Sequence, residues 1–252
     1  MSRLHLRAGV LASLLMVSQS AAGQPTAARD ASRKWEITDN SFLIEESFNQ
    51  EPGVVQNILT WTRNRHDEWV ATFTQEWPAP GMTHQFSYTV PIGRVGEHRG
   101  VNDVLLNYRY QLLREAAGRA AIAPRISVIL PTGSQRDGLG DGVVGMQLNV
   151  PVSKQFADLY LHGNAGWTWL PGVERLTNLG ASGIWRVTPM FNLMLEGLIA
   201  VNNSATISPG FRRGWNFGDK QLVIGAAVPL TRAAGSTSAA LLTYFSYELP
   251  FR

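Results

Sequence analysis

Apolar and polar residues alternate along most of the chain, from Val54 to the C-terminus. In residues 191–201, one face carries Phe, Leu, Leu, Gly, Ile and Val, and the other carries Asn192, Met194 and Glu196. Similar two-faced runs occupy residues 102–112, 157–167 and 241–251. Successive side chains of a β-strand point to opposite faces, so the pattern predicts strands. The runs are roughly nine to eleven residues long, the length that a tilted transmembrane strand requires.

The distribution of charged and aromatic residues favours a membrane barrel over a soluble sheet. Almost no charge lies on the apolar face of any run, whereas acids and bases lie on the other face. Aromatic residues collect near the ends of the runs, as in the interfacial girdles of membrane barrels. They are Trp61, Trp69, Trp77, Trp167, Trp169, Trp185, Trp215 and Tyr247. A soluble sandwich with a Trp-rich core is the alternative. The pattern predicts an all-β fold, an antiparallel transmembrane β-barrel of about twelve strands.

The connections between the runs alternate between short and longer ones for much of the chain. Short turns are predicted at residues 78–81, 114–119, 152–154 and 188–189. Longer polar loops are predicted at residues 93–100, 132–142, 169–175 and 202–208. Outer-membrane barrels have short periplasmic turns and longer outer loops. With an even number of strands, both ends of the barrel are expected on the periplasmic side.

The first 22 residues have the three parts of a secretory signal peptide. Arg3 and Arg7 form a positive region, and residues 8–17 are apolar. Small residues then precede a predicted cleavage site before Gly23. An uncleaved anchor is the alternative, but the apolar stretch is shorter than the roughly 20 residues needed to span a membrane. The predicted organisation is a signal peptide (1–22), an N-terminal periplasmic or plug-like segment (23–53) and a transmembrane barrel (54–252).

The composition excludes several functional classes. The chain contains no cysteine, which excludes disulfides and thiolate metal sites. The predicted signal peptide carries two of the 22 Lys and Arg residues, so the remainder has 20 basic and 19 acidic residues. Because the basic residues form no run or stripe, nucleic-acid binding has no electrostatic basis. No cofactor and no metal are predicted.

The loop "GSQRDGLGDG", residues 133–142, combines glycines with Asp137 and Asp141. Its spacing lacks the terminal Glu and the flanking helices of an EF-hand calcium site. A phosphate-binding loop would need Lys followed by Ser or Thr and then a helix, whereas Val143 starts another alternating run. The sequence therefore predicts an external hairpin loop whose glycines allow tight turns. Weak binding of a divalent cation is the alternative.

Charged and polar residues on the inward faces are the candidate lining of a lumen. They are Asp103, Arg109, Arg125, Asp158, His162, Arg186, Glu196 and Glu248. One interpretation is structural, because opposite charges would pair across a narrow barrel. The other is functional, with the same groups lining a polar pathway for a solute. Acids and bases are mixed, so no strong preference for anions or cations is predicted.

The segment ahead of the first strand is a candidate plug. It contains apolar residues that favour burial within an otherwise acidic stretch. The candidate plug residues are Phe42, Ile44, Glu45, Phe48 and Gln50. Such a segment would fold into the mouth of the barrel or cover its periplasmic entrance. The alternative is a simple tether.

Two functional classes other than a channel remain open. An outer-membrane phospholipase would need a Ser–His pair, oriented by an acid or Asn, that faces lipid. His162 and Asn164 lie on the inward face with no serine nearby, and His84 lies on an apolar face near the start of its run. No catalytic residue is therefore predicted. A structural or adhesive barrel is the second alternative, and longer outer loops would be expected for it.

Several phrases of the chain resemble one family of outer-membrane proteins. They are "FLIEESFNQEPGVVQN", "GVNDVLLNYRYQL", "PRISVILPTG", "LNVPVSKQF" and "LHGNAGWTW". From Ser41 to the C-terminus the chain resembles the meta-pathway phenol-degradation family of transporter-like barrels. The resemblance implies a channel or transporter in the cell outer membrane, for small hydrophobic or aromatic compounds.

The resemblance also implies partners for the chain. These are outer-membrane lipid, a small-molecule solute and the barrel assembly machinery, which reads the C-terminal strand. Outer-membrane strands usually end on an aromatic residue. Here Phe251 is followed by Arg252, a departure from that pattern.

Overall fold

The structure is a computed structural model that describes residues 36–37, 41–79, 81–173, 176–200 and 204–251. The predicted signal peptide, residues 1–22, lies outside the described residues. Within these ranges, regular structure consists of β-strands and short turns. No helix that is long and apolar enough to cross a membrane occurs in the described part of the chain.

Fifteen strand segments make up one sheet. They are β1 (Val54–Asn64), β2 (Trp69–Pro78), β3 (His84–Val95), β4 (His98–Val101), β5 (Val104–Tyr110), β6 (Ala121–Ile122), β7 (Arg125–Leu130), β8 (Gly145–Phe156), β9 (Leu159–Trp169), β10 (Leu176–Thr188), β11 (Phe191–Ala200), β12 (Ser204–Phe217), β13 (Lys220–Ala227), β14 (Leu230–Ala233) and β15 (Ser236–Pro250).

The sheet closes on itself because β1 pairs with β15 in antiparallel register, from Val54 opposite Pro250 to Asn64 opposite Ala240. Three of the fifteen segments continue a neighbouring strand: β4 precedes β5 along β3, β6 precedes β7 along β8, and β14 follows β13 along β12. Fifteen segments minus these three leave a closed antiparallel barrel of twelve strands. The predicted fold class and strand number are confirmed.

The two faces of the wall differ in polarity, as the alternation predicts. The outer face carries exposed aliphatic and aromatic side chains, including Leu59, Leu106, Ile126, Leu161, Leu195 and Phe245. All seven tryptophans of the described residues lie on this outer face. The inner face carries many buried polar side chains that bond to each other across strands, for example Thr60 to Thr72 at 2.6 Å and Thr74 to Thr89 at 2.8 Å. One part of it also carries buried apolar side chains, such as Ile184 and Leu242. An apolar exterior around a polar interior is the arrangement of a membrane barrel.

Three predicted connections lie elsewhere in the structure. Residues 202–208 were expected to form a longer loop, but β12 begins at Ser204, because residues 204–207 pair with both β11 and β14. Residues 152–154 were expected to form a turn, but they lie within β8, and the turn follows at Ala157 and Asp158. Ala157 has a φ of +50°, which ends the strand there. Residues 93–100 were expected to form a longer loop. In fact β3 extends to Val95 and β4 begins at His98, because Gly96, with a φ of +58°, allows a tight turn.

Candidate functional site

The N-terminal segment enters the barrel and leaves it at the same rim, which we call the terminal rim because β1 begins and β15 ends there. At this rim, Ile37 N–H donates to Pro189 O at 3.0 Å, in the turn between β10 and β11. Phe251 N–H donates to Gly53 O at 2.7 Å. Between these anchors, all ten residues 41–50 are buried inside the barrel. We call residues 41–50 the luminal segment.

One side of the luminal segment packs against an apolar half of the lumen. Phe42, Leu43 and Ile44 belong to one buried apolar cluster with side chains from β1, β9, β10, β11, β13 and β15. Within it, the rings of Phe42 and Tyr244 stack with their centroids 4.8 Å apart. Burial of side chains of this size stabilises the seated segment by about 1.5–3 kcal/mol each. The sequence predicted the burial of these residues, but not the wall that they contact.

Three inward-facing glycines provide the space into which the segment fits. A Cβ on Gly225 would collide with the ring of Phe42, and one on Gly180 would collide with Ile44 Cδ1. A Cβ on Gly214 would lie 2.8 Å from Ile37 Cγ1. Glycine inside a strand weakens it and often marks the close approach of another chain segment. We call Gly180, Gly214 and Gly225 the socket glycines.

Glu196 on β11 binds the backbone of the luminal segment. Its Oε1 accepts the N–H groups of Phe42, Leu43 and Ile44 at 3.0, 2.7 and 3.1 Å. Three successive backbone N–H groups that converge on one oxygen form an anion-binding nest. Next to it, Ser41 Oγ and Ser182 Oγ are 2.6 Å apart. The segment pairs with no strand, so side chains of the wall provide the hydrogen bonds for its backbone N–H groups.

Glu45 lies on the opposite, polar side and is bound by two arginines. Arg125 Nε donates to Oε1 and Oε2 of Glu45 at 2.9 and 3.0 Å, and Arg109 Nη2 and Asn149 Nδ2 also donate to this carboxylate. The Glu45 side chain is 2% exposed. Burial alone would raise the pKa of Glu45, but the charges of Arg125 and Arg109 and the Asn149 hydrogen bond outweigh it and lower the pKa below its ordinary 4.5.

The rest of the luminal segment is held by side chains of the polar wall. Asn164 bonds both backbone groups of Glu45, accepting its N–H at 2.7 Å and donating to its carbonyl at 2.6 Å. Ser47 N–H donates to Ser153 Oγ at 2.9 Å. Gln50 N–H donates to Gln85 Oε1 at 2.5 Å. These contacts fix the path of the segment through side chains of the wall rather than through strand pairing.

The predicted lumen-lining residues occupy different positions. Five are buried on the inner face: Arg109, Arg125, His162, Glu196 and Glu248. Asp103 is buried at the break between β4 and β5. Asp158 does not line the wall, because it lies in the turn before β9 with 61% of its side chain exposed. Arg186, near the end of β10 at the terminal rim, pairs with Asp158 at 2.6 Å and with Glu36. The five predicted plug residues all lie inside the barrel.

A serine does lie next to His162, contrary to the sequence prediction. Ser153 Oγ is 2.8 Å from His162 Nδ1, and Glu46 Oε1 is 3.7 Å from His162 Nε2. All three side chains are buried inside the lumen. Ser153 Oγ also accepts the N–H of Ser47. This set faces the luminal segment rather than lipid, so it anchors the segment and lacks the access that a phospholipase site requires.

The glycine-rich loop between β7 and β8 folds over the rim opposite the terminal rim. Asp103 accepts the N–H groups of Gly133 and Asp141, both at 2.9 Å. Burial and the neighbouring charge of Asp103 raise the pKa of Asp141. Among the described residues, no group of three or more His, Asp and Glu side chains is placed to hold a metal ion. The loop is held by hydrogen bonds to Asp103, which lies between β4 and β5.

A small pocket remains beside Glu45. Its free volume is about 20 Å³, room for one water molecule. The lining residues are Leu43, Glu45, Arg125, Gln147, Asn149, Asn164, Gly166, Asn178 and Leu198. With the luminal segment in place, this pocket is too small for an organic solute.

Comparison with solved structures supports the same architecture. The chain is similar to an outer-membrane channel from Pseudomonas putida F1, with a TM-score of 0.56, 14% identity, and coverage of 79% of this chain and 96% of the channel. It is also similar to the NanC porin, with a TM-score of 0.51, 8% identity, and coverage of 77% and 100%. No protein-family model and no curated protein matches the chain. The likeness concerns the fold, which is that of an outer-membrane β-barrel, as the sequence predicted.

Proposed function

We propose that the chain is an outer-membrane channel for small molecules whose lumen is closed by the luminal segment. The observation that carries the proposal is the burial of ten successive residues, 41–50, inside a closed barrel. The segment pairs with no strand and is held by side chains of the wall. Withdrawal of the segment would therefore break no strand pairing, although it would expose the apolar cluster to which Phe42, Leu43 and Ile44 belong. Both anchors lie at the terminal rim, so withdrawal toward that rim would open the lumen.

The solute class follows from the resemblance to the meta-pathway phenol-degradation family, which points to small hydrophobic or aromatic compounds. The lumen is compatible with such solutes, because one half of its wall is apolar. The segment would lie on the periplasmic side in this proposal, which its anchoring at the terminal rim and the even strand number support.

Planar-bilayer conductance of the refolded mature chain, with and without residues 23–52, tests the proposal. We expect rare, short openings from the intact chain and steady, larger single-channel steps from the truncated chain. Silence from both, with correctly folded protein, would contradict the channel and favour a structural or adhesive barrel.

A further inference from the structure

We propose that the site that holds Glu45 is a binding site for a small organic carboxylate with an apolar body, and that Glu45 occupies it as an internal competitor. The proposal rests on the proposed channel function and adds a solute class to it. In this view the luminal segment closes the lumen by placing its own carboxylate where that of the solute would bind.

Of the two arginines that bind Glu45, Arg125 is oriented by side chains of the barrel and not by the luminal segment. Arg125 Nη1 donates to Asn107 Oδ1 at 3.0 Å, and Nη2 donates to Gln147 Oε1 at 2.9 Å. Ser127 Oγ accepts a further bond from Nη1. These partners belong to β5, β7 and β8. Arg125 Nε therefore remains directed into the lumen when the segment leaves.

Withdrawal of the segment would leave a buried positive site without its anion. Arg109 and Arg125 both contact the Glu45 carboxylate, and Asn149 is a third side chain that donates to it. Guanidinium groups match the planar geometry of a carboxylate, and such charge-assisted bonds are the strong ones. An uncompensated buried charge is costly, so the open lumen would favour a carboxylate at this position.

The surroundings of the site specify the rest of the ligand. Asn149 Oδ1 and Asn178 Oδ1, both in the lining of the small pocket, have no hydrogen-bond partner among the described residues. They are acceptors for a hydroxyl or N–H of a ligand. Leu198 lines the same pocket and belongs to the apolar cluster with Ile184 and Met194. A carboxylate with an apolar body would thus contact the arginines with one end and the apolar half of the wall with the other.

The lumen also contains an acid that faces the segment. Glu196 binds backbone N–H groups of residues 42–44 and not the arginines. Its partner groups leave with the segment, so a ligand with a hydrogen-bond donor would satisfy it. This arrangement disfavours a second negative charge on the ligand, and we therefore infer a monocarboxylate.

Calorimetric titration with benzoate tests the site. Benzamide, which has the same shape but no charge, is the control ligand and should bind more weakly. Glu45→Gln removes the internal competitor, so we expect it to bind benzoate at least tenfold more tightly than the wild type, a change of roughly 1.4 kcal/mol or more. Adding Arg125→Gln to that variant should weaken benzoate binding by about tenfold or more, since Arg125 Nε donates to both oxygens of the carboxylate in this site. The control is Arg63→Gln, added to the same variant. Arg63 is exposed and pairs with Asp67, so its substitution should leave the affinity for benzoate unchanged.

A second measurement does not depend on the folding of the Glu45 variant. The chain contains no cysteine, so Ser47→Cys introduces a single thiol that is buried while the segment is seated. Benzoate should accelerate labelling of this thiol by a small hydrophilic reagent several-fold, and benzamide should not.

The outcomes separate this proposal from the proposed function. Equal effects of benzoate and benzamide on labelling would overturn the carboxylate site. Absence of benzoate binding by a folded Glu45→Gln protein would do the same. In either case, conductance of the truncated chain would still support the channel. Benzoate binding by a chain that never conducts would uphold the site and overturn the channel.

Discussion

At the scale of single residues, two of the socket glycines, Gly180 and Gly225, leave room in the wall for side chains of the luminal segment. Gly180→Val should place its side chain where Ile44 Cδ1 lies. Overpacking of this kind costs roughly 1–3 kcal/mol. The collision with Ile44 occurs only while the segment is seated, whereas the approach to Leu198 Cδ1 at 3.3 Å lies within the wall. The population of the open state should therefore rise by roughly fivefold or more. Open probability in planar bilayers is the measurement.

Gly197→Val on β11 is the matched control for this substitution. Gly197 lies on the adjacent strand, opposite Ala181, and no atom lies within 4 Å of a Cβ built on it. Its channel records should equal those of the wild type. Equal records for Gly180→Val and the wild type would show that Ile44 does not hold the segment in place.

The ionisation of Glu45 predicts an acid-dependent opening. Its pKa is lowered in the folded state, so its contribution to the seated state is complete above the ordinary value of 4.5 and is lost as the pH falls through the lowered pKa. The groups that face it are Arg109 and Arg125, which stay charged, and Asn149 and Asn164, which do not titrate. We therefore expect protonation of Glu45 to raise the open probability as the pH falls below about 4.5.

Glu45→Gln is the control for this pH dependence. It should show a raised open probability at neutral pH, because the two arginines lose their buried partner, a change that typically costs about 3–5 kcal/mol. It should also lose the acid-dependent rise. A rise of the same size in both proteins would assign the pH response to another group.

At the scale of elements, the luminal segment and β10 can be joined covalently to test whether movement opens the lumen. Ser41 Oγ and Ser182 Oγ are 2.6 Å apart, and a disulfide requires sulfur atoms about 2.05 Å apart. The doubly substituted protein, with Ser41→Cys and Ser182→Cys, should be closed when oxidised and regain wild-type openings when reduced. Each single substitution is the control, and neither should respond to reductant. Openings from a fully oxidised double variant would mean that solute passes without movement of this part of the segment.

The strands could be predicted from the sequence because each one separates lipid from lumen, and that separation imposes the alternation. The exact positions of the turns could not be predicted from the sequence. As a result, the sequence analysis missed the serine next to His162. A turn predicted at residues 152–154 removed Ser153 from the strand, whereas the actual turn at Ala157 and Asp158 places Ser153 directly opposite His162. Because the position of this turn was not known, Asp158 was also wrongly expected on the inner wall, whereas it lies in the turn itself.

The luminal segment shows a second limit of the sequence. Its apolar residues predicted burial, since they lie in a short stretch outside any alternating run. Its partners come from strands distant in the sequence, such as Glu196, which lies more than 150 residues from Phe42 and Leu43. No periodicity encodes such pairings. The socket glycines were detectable in principle, as glycines on the inward face of otherwise regular strands.

At the scale of the whole molecule, the barrel and the luminal segment are held by separate interactions. The twelve strands are joined by a continuous ring of backbone hydrogen bonds that β1 and β15 complete. The luminal segment contributes side-chain contacts to this ring but no strand pairing. A barrel without the segment should therefore still close, with a lumen that fills with water.

This separation predicts the stability of the chain that lacks residues 23–52. It should keep the barrel signature, namely faster migration of the unheated protein in a denaturing gel and an unchanged β-type circular dichroism spectrum. Its unfolding temperature should fall, because Phe42, Ile44 and Phe48 no longer bury their side chains and Glu196, Arg109 and Arg125 lose their partners. The oxidised Ser41→Cys, Ser182→Cys protein should instead unfold at a higher temperature than the wild type. A truncated chain that fails to close would show that the luminal segment is part of the barrel core, and a gate formed by its withdrawal would then be excluded.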